Sequence, residues 1–432
     1  METVAIVLFI AGYLAIVLEK PLRINKAASA LLTGTLCWTA YILGQPDKAM
    51  VTRQLSEQLS EISAILFFLL SAMTVVELID AHDGFELLTD RIRTTDKRRL
   101  LWLIGGITFC LSAMLDNLTT TIVMVSLLRK LMDRREDRLL FAGVIVIAAN
   151  AGGAWSPIGD VTTTMLWMGG QISPVNIILK LFVPSLVCLL VPLMILHFRM
   201  KGQLHPPHAQ PGDARLTSSL LERKAVLGIG MGVLLFVPVF KVATHLPPHM
   251  GMLLGLGVIW ILTEMIHSGK DDIEKGERSV VHALRKVDAS SILFFLGILL
   301  AIAALQSMGS LGYLAAWLDR AVGNVTAIGV AIGFISAVVD NVPLVAAAQG
   351  MYGLEQYPTD HFFWELLAYC AGTGGSALII GSAAGVAAMG MERIDFLWYL
   401  RHISLLAILG YLAGVVVYVA QYQIFELKNL SI

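Results

Sequence analysis

Runs of about twenty apolar residues recur along the whole chain and are separated by short polar segments. A helical run of that length crosses the ~30 Å hydrocarbon core of a bilayer. Basic residues follow the first run and no small-residue cleavage site does, which indicates a retained crossing rather than a signal peptide. The pattern predicts an all-α polytopic membrane protein with crossings at 3–19, 27–45, 62–81, 139–169, 174–198, 224–244, 250–267, 289–308, 362–390 and 397–420.

Two further apolar blocks, 100–132 and 324–353, are each interrupted near the middle by an Asp-Asn pair. Each arm of such a block is too short for comfortable spanning. We therefore expect two re-entrant helical hairpins whose tips stop near mid-membrane. Such backbone is tolerated only where it is buried in protein or lines a watery cavity.

The positions of Lys and Arg test this count. Threaded from an outside N-terminus, ten crossings and two non-crossing hairpins place most of the 31 basic residues on the inner side. The positive-inside rule therefore favours this topology. It predicts a multi-pass protein of a cell (inner) membrane with both termini outside.

Three short motifs recur in the same order at a nearly constant offset. They lie at 65–69 and 292–296, at 112–117 and 336–341, and at 152–153 and 374–375. The first half has an odd number of crossings, so the second half enters the membrane in the opposite sense. This predicts two inverted-topology repeats, each with five crossings, one hairpin and one broken transmembrane helix. The predicted units are 1–200, a cytoplasmic linker 201–222, and 223–432, an organisation typical of secondary transporters.

Composition excludes several other classes. The chain is 56% hydrophobic and only 15% charged, whereas soluble domains are about 25% charged. Its net charge of −1 gives no electrostatic support for a nucleic-acid partner. No cofactor is expected. The cysteines lie in apolar runs without CxxC spacing and are expected to be buried free thiols: Cys37, Cys110, Cys188 and Cys370.

Carboxylates within apolar runs supply the candidate chemistry. A charge at bilayer depth costs roughly 3 kcal/mol by insertion scales, so it marks a functional site by default. Glycine pairs and a proline at 150–164, and glycines at 372–382, break helices and free backbone carbonyls. Carboxylate, amide and hydroxyl oxygens suit a small hard cation. The predicted cation- and proton-binding set is Asp116, Asn117, Asn150, Asp160, Thr162, Thr163, Asp340, Asn341, Thr373 and Ser376, with Ser382 at its edge.

Plainer interpretations stay open for several of these residues. Asn and Thr in transmembrane helices commonly form interhelical hydrogen bonds, and glycine pairs allow close helix packing. Asp340 could cap Val342 at the hairpin tip. Near the inner end of the third crossing, Glu77, Asp80 and His82 are either a pH-sensing cluster or an ordinary polar helix end. His267 receives no role.

At these residues the chain resembles the NhaD family of sodium/proton antiporters, whose superfamily also contains dicarboxylate and arsenite carriers. The most specific segments are 112–119 and 152–163. Dicarboxylate carriers place Ser-Asn-Thr at the hairpin tips, whereas both tips here read Asp-Asn, which favours a cation. The resemblance implies a homodimer with a scaffold domain and a moving transport domain. The extra N-terminal helix of some relatives is expected to be absent.

The resulting hypothesis is a non-enzymatic antiporter that exchanges sodium or lithium for protons. Asp116 and Asp160 would hold the transported metal ion, and protons would compete for the same carboxylates under alternating access. Two alternatives remain. One is a sodium-coupled carrier of a small oxyanion or dicarboxylate. The other is an intramembrane aspartyl protease, whose family would require a Gly-x-Gly-Asp motif where this chain has Pro157-Ile158-Gly159-Asp160.

Overall fold

The computed structural model describes residues 2–89, 94–200, 202–203, 219–267 and 278–429. Every regular element within these ranges is helical. The first half contains α1 (Glu2–Val17), α2 (Glu19–Leu22), α3 (Lys26–Gly44), α4 (Lys48–Ala81), α5 (Glu86–Thr89), α6 (Lys97–Ser112), α7 (Asn117–Leu131), α8 (Arg135–Ala154), α9 (Val161–Met168) and α10 (Pro174–Arg199).

The second half repeats this order of long helices, hairpin and broken helix. It contains α11 (Leu220–Thr244), α12 (Pro248–Ile266), α13 (Val280–Lys286), α14 (Ala289–Ser307), α15 (Ser310–Ala321), α16 (Val325–Ser336), α17 (Asn341–Met351), α18 (Phe362–Gly374), α19 (Ala383–Glu392), α20 (Phe396–Tyr399) and α21 (Leu405–Asn429). A short 3₁₀ turn, Gly375–Ala377, follows α18, and a π turn, Leu400–Ser404, joins α20 to α21. The opposite orientation of the two halves stays a prediction.

In the described ranges, eight helices are long and apolar enough to cross a membrane, which confirms a multi-pass membrane protein. They overlap eight of the predicted crossings: α3, α4, α8, α10, α11, α12, α14 and the continuous run Phe396–Ile424. The predicted crossing 139–169 is not one helix, because α8 ends at Ala154 and α9 covers its last part. The other two predicted crossings consist of shorter helices. Crossing 3–19 is α1, which has 16 residues, and crossing 362–390 is divided between α18 and α19.

Both predicted hairpins are present as pairs of helices, α6–α7 (the first hairpin) and α16–α17 (the second hairpin). In each, the second arm starts immediately after the aspartate of the Asp-Asn pair. Asp116 Oδ1 accepts the backbone N–H of Thr119 at 2.7 Å, and Asp340 Oδ1 accepts that of Val342 at 3.3 Å. Each aspartate is therefore an N-cap that restarts the helix after the tip.

The predicted helix breaks are also present in both halves. α8 ends at Ala154 and α9 begins at Val161, with irregular backbone between them. α18 ends at Gly374 and α19 begins at Ala383. The residues just before α9 and α19, Asp160 and Ser382, cap those helices. Polar side chains are thereby placed at two interruptions in otherwise apolar helices.

Contacts between the halves bring these interruptions together. α3 packs along α14, and α10 packs along α21. A methyl group added to Gly34 of α3 would lie 2.5 Å from the carbonyl oxygen of Gly297 in α14, so these helices touch through their backbones. The second arm of each hairpin packs on the broken helix of the other half, α7 on α19 and α17 on α9.

Cys110 is exposed, contrary to the prediction, because α6 packs its opposite face on the core and a lipid-facing helix can stay apolar outside. The other three cysteines, Cys37, Cys188 and Cys370, are buried.

α4 begins at Lys48, well before residue 62. α15 was not predicted and meets α16 at a bend of 117°. Residues 201 and 204–218 of the predicted linker lie outside the described residues.

Candidate functional site

Asp160 lies at the centre of the polar interior and is only 2% exposed. Its Oδ1 accepts the backbone N–H of Thr162 at 2.9 Å and the Thr162 hydroxyl at 2.7 Å. Its Oδ2 accepts Asn117 Nδ2 at 2.8 Å, and Asn341 Nδ2 is 3.5 Å from Oδ1. One buried carboxylate thus receives hydrogen bonds from the amides of both hairpin tips.

Asn150 extends this cluster to the second broken helix. Its Oδ1 accepts Asn117 Nδ2 at 3.1 Å. Its Nδ2 donates to Ser376 Oγ at 2.8 Å and to Ser382 Oγ at 2.9 Å. The first hairpin and both broken helices are therefore joined by one buried network of carboxylate, amide and hydroxyl groups.

The two remaining predicted threonines are buried but bond to backbone. The Thr163 hydroxyl donates to the Asp160 carbonyl at 2.9 Å, and the Thr373 hydroxyl donates to the Tyr369 carbonyl at 2.6 Å. Both hydroxyl oxygens keep lone pairs that could accept a bond or contact a cation. Their place in the predicted binding set stays a prediction.

A single cavity joins the three predicted aspartates. Asp116, Asp160 and Asp340 line it, together with Asn117 and Asn341. The space open to the centres of water molecules is about 70 Å³. One water needs roughly 10–15 Å³ on that measure, so the cavity has room for several waters or a partly hydrated cation. Most of the remaining lining is apolar, and α4 contributes the largest share, with Phe68, Leu69, Ala72, Met73 and Val76.

Asp116 and Asp340 have other partners within this cavity. Asp116 Oδ2 accepts the Thr119 hydroxyl at 2.6 Å. Asp340 Oδ2 lies 3.4 Å from Nζ of Lys26, at the start of α3. Sequence reasoning missed Lys26 because the lysine is 314 residues away from its partner along the chain. The only sequence signal was a basic residue at the edge of an apolar run.

The donor set is unlike that of a resident metal centre. Among the described residues, no three His, Cys, Asp or Glu side chains come close enough to hold a metal ion. The site around Asp160 instead offers one carboxylate and several neutral oxygens. Oxygen ligands of this kind suit a hard cation that binds and leaves.

The predicted pH-sensing residues Glu77, Asp80 and His82 have different surroundings, and their role stays a prediction. Glu77 pairs with Lys286 at 3.2 Å, and Asp80 is exposed. His82 is fully buried, its Nδ1 lies 2.7 Å from the Leu78 carbonyl, and its ring stacks on that of His267 at 5.2 Å. Burial lowers the pKa of His82 to about 4. The His82–His267 pair was not predicted, since its members lie on different helices.

Comparison with known proteins places this architecture among membrane transporters. Residues 13–372 match the citrate transporter family. The chain is 50% identical to sodium/proton antiporter 1 of Arabidopsis thaliana over 424 residues, which are 98% of this chain and 73% of the relative. It is 49% identical to sodium/proton antiporter 2 of that plant over 416 residues, 96% and 98% of the two chains. It is 30% identical to the Na⁺/H⁺ antiporter NhaD of Vibrio cholerae over 444 residues, 96% and 90% of the two chains.

Proposed function

Because the chain belongs to the citrate transporter family and to the family of the NhaD sodium/proton antiporters, we propose that it exchanges sodium or lithium for protons across a membrane. The names of its relatives support this pair of transported ions. Membership of a transporter family also sets aside the protease alternative. The observation that carries the proposal is the buried Asp160 carboxylate, which is surrounded by neutral hydrogen-bonding groups.

Asp160 is suited to competitive binding. All its hydrogen bonds in the described structure come from neutral groups, the Thr162 backbone and hydroxyl and the Asn117 and Asn341 amides. A buried carboxylate without a cationic partner is costly to leave charged. Either a sodium ion or a proton removes that cost, and both need the same oxygen atoms. The two ions therefore exclude each other at Asp160.

Exchange also needs the site to face the two sides in turn. The amides that hold Asp160 belong to hairpin tips, so displacement of a hairpin changes the ligands and the access path together. Coupling follows when the hairpin moves with sodium bound and also with a proton bound, but does not move when the site is empty. Asp116 and Asp340 line the same cavity and raise the local cation concentration. A homodimer in the inner membrane, with scaffold and transport domains and both termini outside, completes the proposal.

A carboxylate carrier is the second candidate, because the matching family is described by citrate transport. The charges around the cavity count against it. Three aspartates line the cavity, and Lys26 is the only Lys or Arg among its described lining residues. An anionic substrate would be repelled by this surplus of negative charge.

Purified protein in liposomes tests the choice directly. We expect sodium or lithium, but not choline, to collapse an imposed proton gradient, and we expect no sodium-dependent uptake of labelled citrate or succinate. Asp160→Asn should abolish the cation response, and empty liposomes give the background leak. Citrate uptake without cation-driven proton movement would instead establish the carboxylate carrier.

A further inference from the structure

Lys26 places an ammonium group beside the cavity that Asp116, Asp160 and Asp340 line. It is the first residue of α3, and its Nζ lies 3.4 Å from Asp340 Oδ2 and 4.4 Å from the centre of the Phe294 ring. Its side chain is 30% exposed and that of Asp340 is 22% exposed. The pair is therefore partly shielded from water, and the aromatic ring gives the ammonium group a second favourable contact.

We propose that Lys26 is a built-in cation of the binding cavity, which occupies Asp340 and sets the affinity for the transported ion. The inference rests on the proposed exchange function and adds a positioning residue to it. Lys26 and all three aspartates line the same cavity, so the ammonium group and a sodium ion at Asp160 repel each other within one small volume.

The total charge of the cavity predicts how removal of the Lys26 charge changes the affinity for cations. Three ionised aspartates carry −3, and Lys26 reduces the total to −2. The other nearby acids serve the surrounding backbone and hydroxyls: Glu19 accepts the backbone N–H of Lys26 at 3.2 Å, and Asp288 caps α14. Neutralising Lys26 would leave the cavity one charge more negative. Sodium and protons would then both bind more tightly and leave more slowly.

This balance matters for an exchanger because the cavity must release what it binds. With Lys26 present, Asp340 has a cationic partner whether or not sodium is bound, so Asp160 is the carboxylate left for the transported ion. The lysine also disfavours binding of a second cation. A role of this kind predicts an effect on the KM for sodium that is separable from any effect on folding.

Lys26→Gln in proteoliposomes is the primary test. At alkaline pH we expect the KM for sodium to fall roughly tenfold, the scale for one charge nearby in a partly shielded site, and the maximal rate to fall with it. The pH of half-maximal activity should rise because protons also bind more tightly. Lys26→Arg should keep values close to the wild type, since the charge is conserved.

Two further variants separate charge from structure. Lys48→Gln is the matched control, because Lys48 is an exposed lysine at the first residue of α4 and does not line the cavity. It should leave the KM unchanged. The double variant Lys26→Gln with Asp340→Asn restores the total cavity charge of −2, so its KM should return toward the wild-type value.

A wild-type KM in Lys26→Gln, or an equally low KM in Lys26→Arg, would overturn the role of Lys26. Should Lys26→Gln be inactive, the sodium-dependent rise in Tm of the purified protein measures binding without transport; it should appear at lower sodium than in the wild type, and an unchanged dependence overturns the inference. Absence of sodium-driven proton movement in the wild type would instead reject the exchange function, and the Tm measurement would still test Lys26.

Discussion

Asp160 uses its two oxygen atoms for different tasks. Oδ1 caps α9 through Thr162, and Oδ2 receives the Asn117 amide. The N-terminus of a helix favours negative charge, and an N-cap Asn serves the backbone almost as well as an N-cap Asp. Asp160→Asn therefore removes the charge while preserving the cap, which makes it the most informative single substitution at the site.

His82 gives the protein a dependence of stability on pH that is separate from transport. Burial lowers its pKa to about 4 from 6.5. The unfolded chain thus binds more protons than the folded chain between those values. The contribution of neutral His82 to the free energy of unfolding is fully present above pH 6.5. It is lost as the pH falls through this window, and the total loss below pH 4 is up to about 3 kcal/mol. A sensor that switches near neutral pH is therefore not expected at His82.

We expect the Tm of His82→Asn to decrease less than that of the wild type when the pH is lowered from 7 to 4.5, as measured on detergent-solubilised protein. His402→Asn is the matched control, since His402 also contacts the carbonyl four residues before it but is exposed. Identical pH profiles for His82→Asn and the wild type would contradict the assigned effect of burial.

The residues of the candidate site could be proposed from sequence, but their contacts could not. An aspartate in an apolar run is conspicuous wherever it folds, and so Asp116, Asp160 and Asp340 were identified. Which of them pairs with a lysine depends on packing between distant helices. Lys26 and His267 were missed for that reason, because nothing local to either residue indicates its partner.

At the scale of elements, helix breaks and hairpin tips were predicted because their causes are local. Proline and glycine interrupt α8–α9, and an Asp-Asn pair divides each hairpin. The early start of α4 and the whole of α15 have no such cause. Residues 48–61 are largely polar, and α15 has only 12 residues. Neither segment forms a long apolar run, and both depend on contacts made after folding.

Gly152 and Gly374 set the distance between each hairpin and its broken helix. A methyl group at Gly152 would lie 2.3 Å from the Phe109 carbonyl oxygen, and one at Gly374 would lie 2.2 Å from that of Gly333. Backbone atoms cannot yield as a flexible side chain can. We expect Gly152→Ala or Gly374→Ala to destabilise the protein by about 1–3 kcal/mol, as a lower Tm, and to impair transport.

Alanine at neighbouring open glycines provides the comparison. Gly106 in α6 and Gly390 in α19 have no atoms within 4 Å of an added methyl group. Gly106→Ala and Gly390→Ala should keep or slightly raise the Tm, because alanine favours helix. If all four variants behave alike, close backbone packing at Gly152 and Gly374 is not what holds the hairpins.

At the scale of the whole molecule, two cavities follow one another along the same helices. The cavity that contains the three aspartates is also lined by Phe68 of α4 and Ser291 of α14. A second cavity is lined by Gln58 of α4 and Gln306 of α14. α9 also contributes to both, with Val161 and Thr164 to the first and Met165 and Met168 to the second. On α9 the first cavity ends at Thr164 and the second begins at Met165, and the proposed alternating access would operate at this boundary.

The proposed topology assigns these cavities to opposite sides. Lys26 lines the first cavity, and the positive-inside rule places the Lys26 segment in the cytoplasm. In a background lacking the exposed Cys110, we expect Ser291→Cys to react with an impermeant maleimide in everted vesicles and Gln58→Cys to react in intact cells. The reverse pattern would invert the topology, and labelling of both from one side would contradict access from two sides.

The family, most of the long helices, the hairpins and the helix breaks could be anticipated, whereas α15, the early start of α4 and the arrangement of the two cavities could not. The cavities arise from contacts between halves that are about 220 residues apart. Side-chain composition places a carboxylate in the membrane, but only the packed structure shows which space it faces.

Proton release on sodium binding is the most direct measurement of the central claim, that sodium and protons compete for Asp160. Purified protein in weakly buffered detergent solution is titrated with sodium chloride, lithium chloride or choline chloride while a pH indicator records released protons. We expect the wild type to release protons with sodium or lithium but not with choline, and we expect folded Asp160→Asn to release almost none. Sodium binding without proton release, or equal release from Asp160→Asn, would contradict the competition.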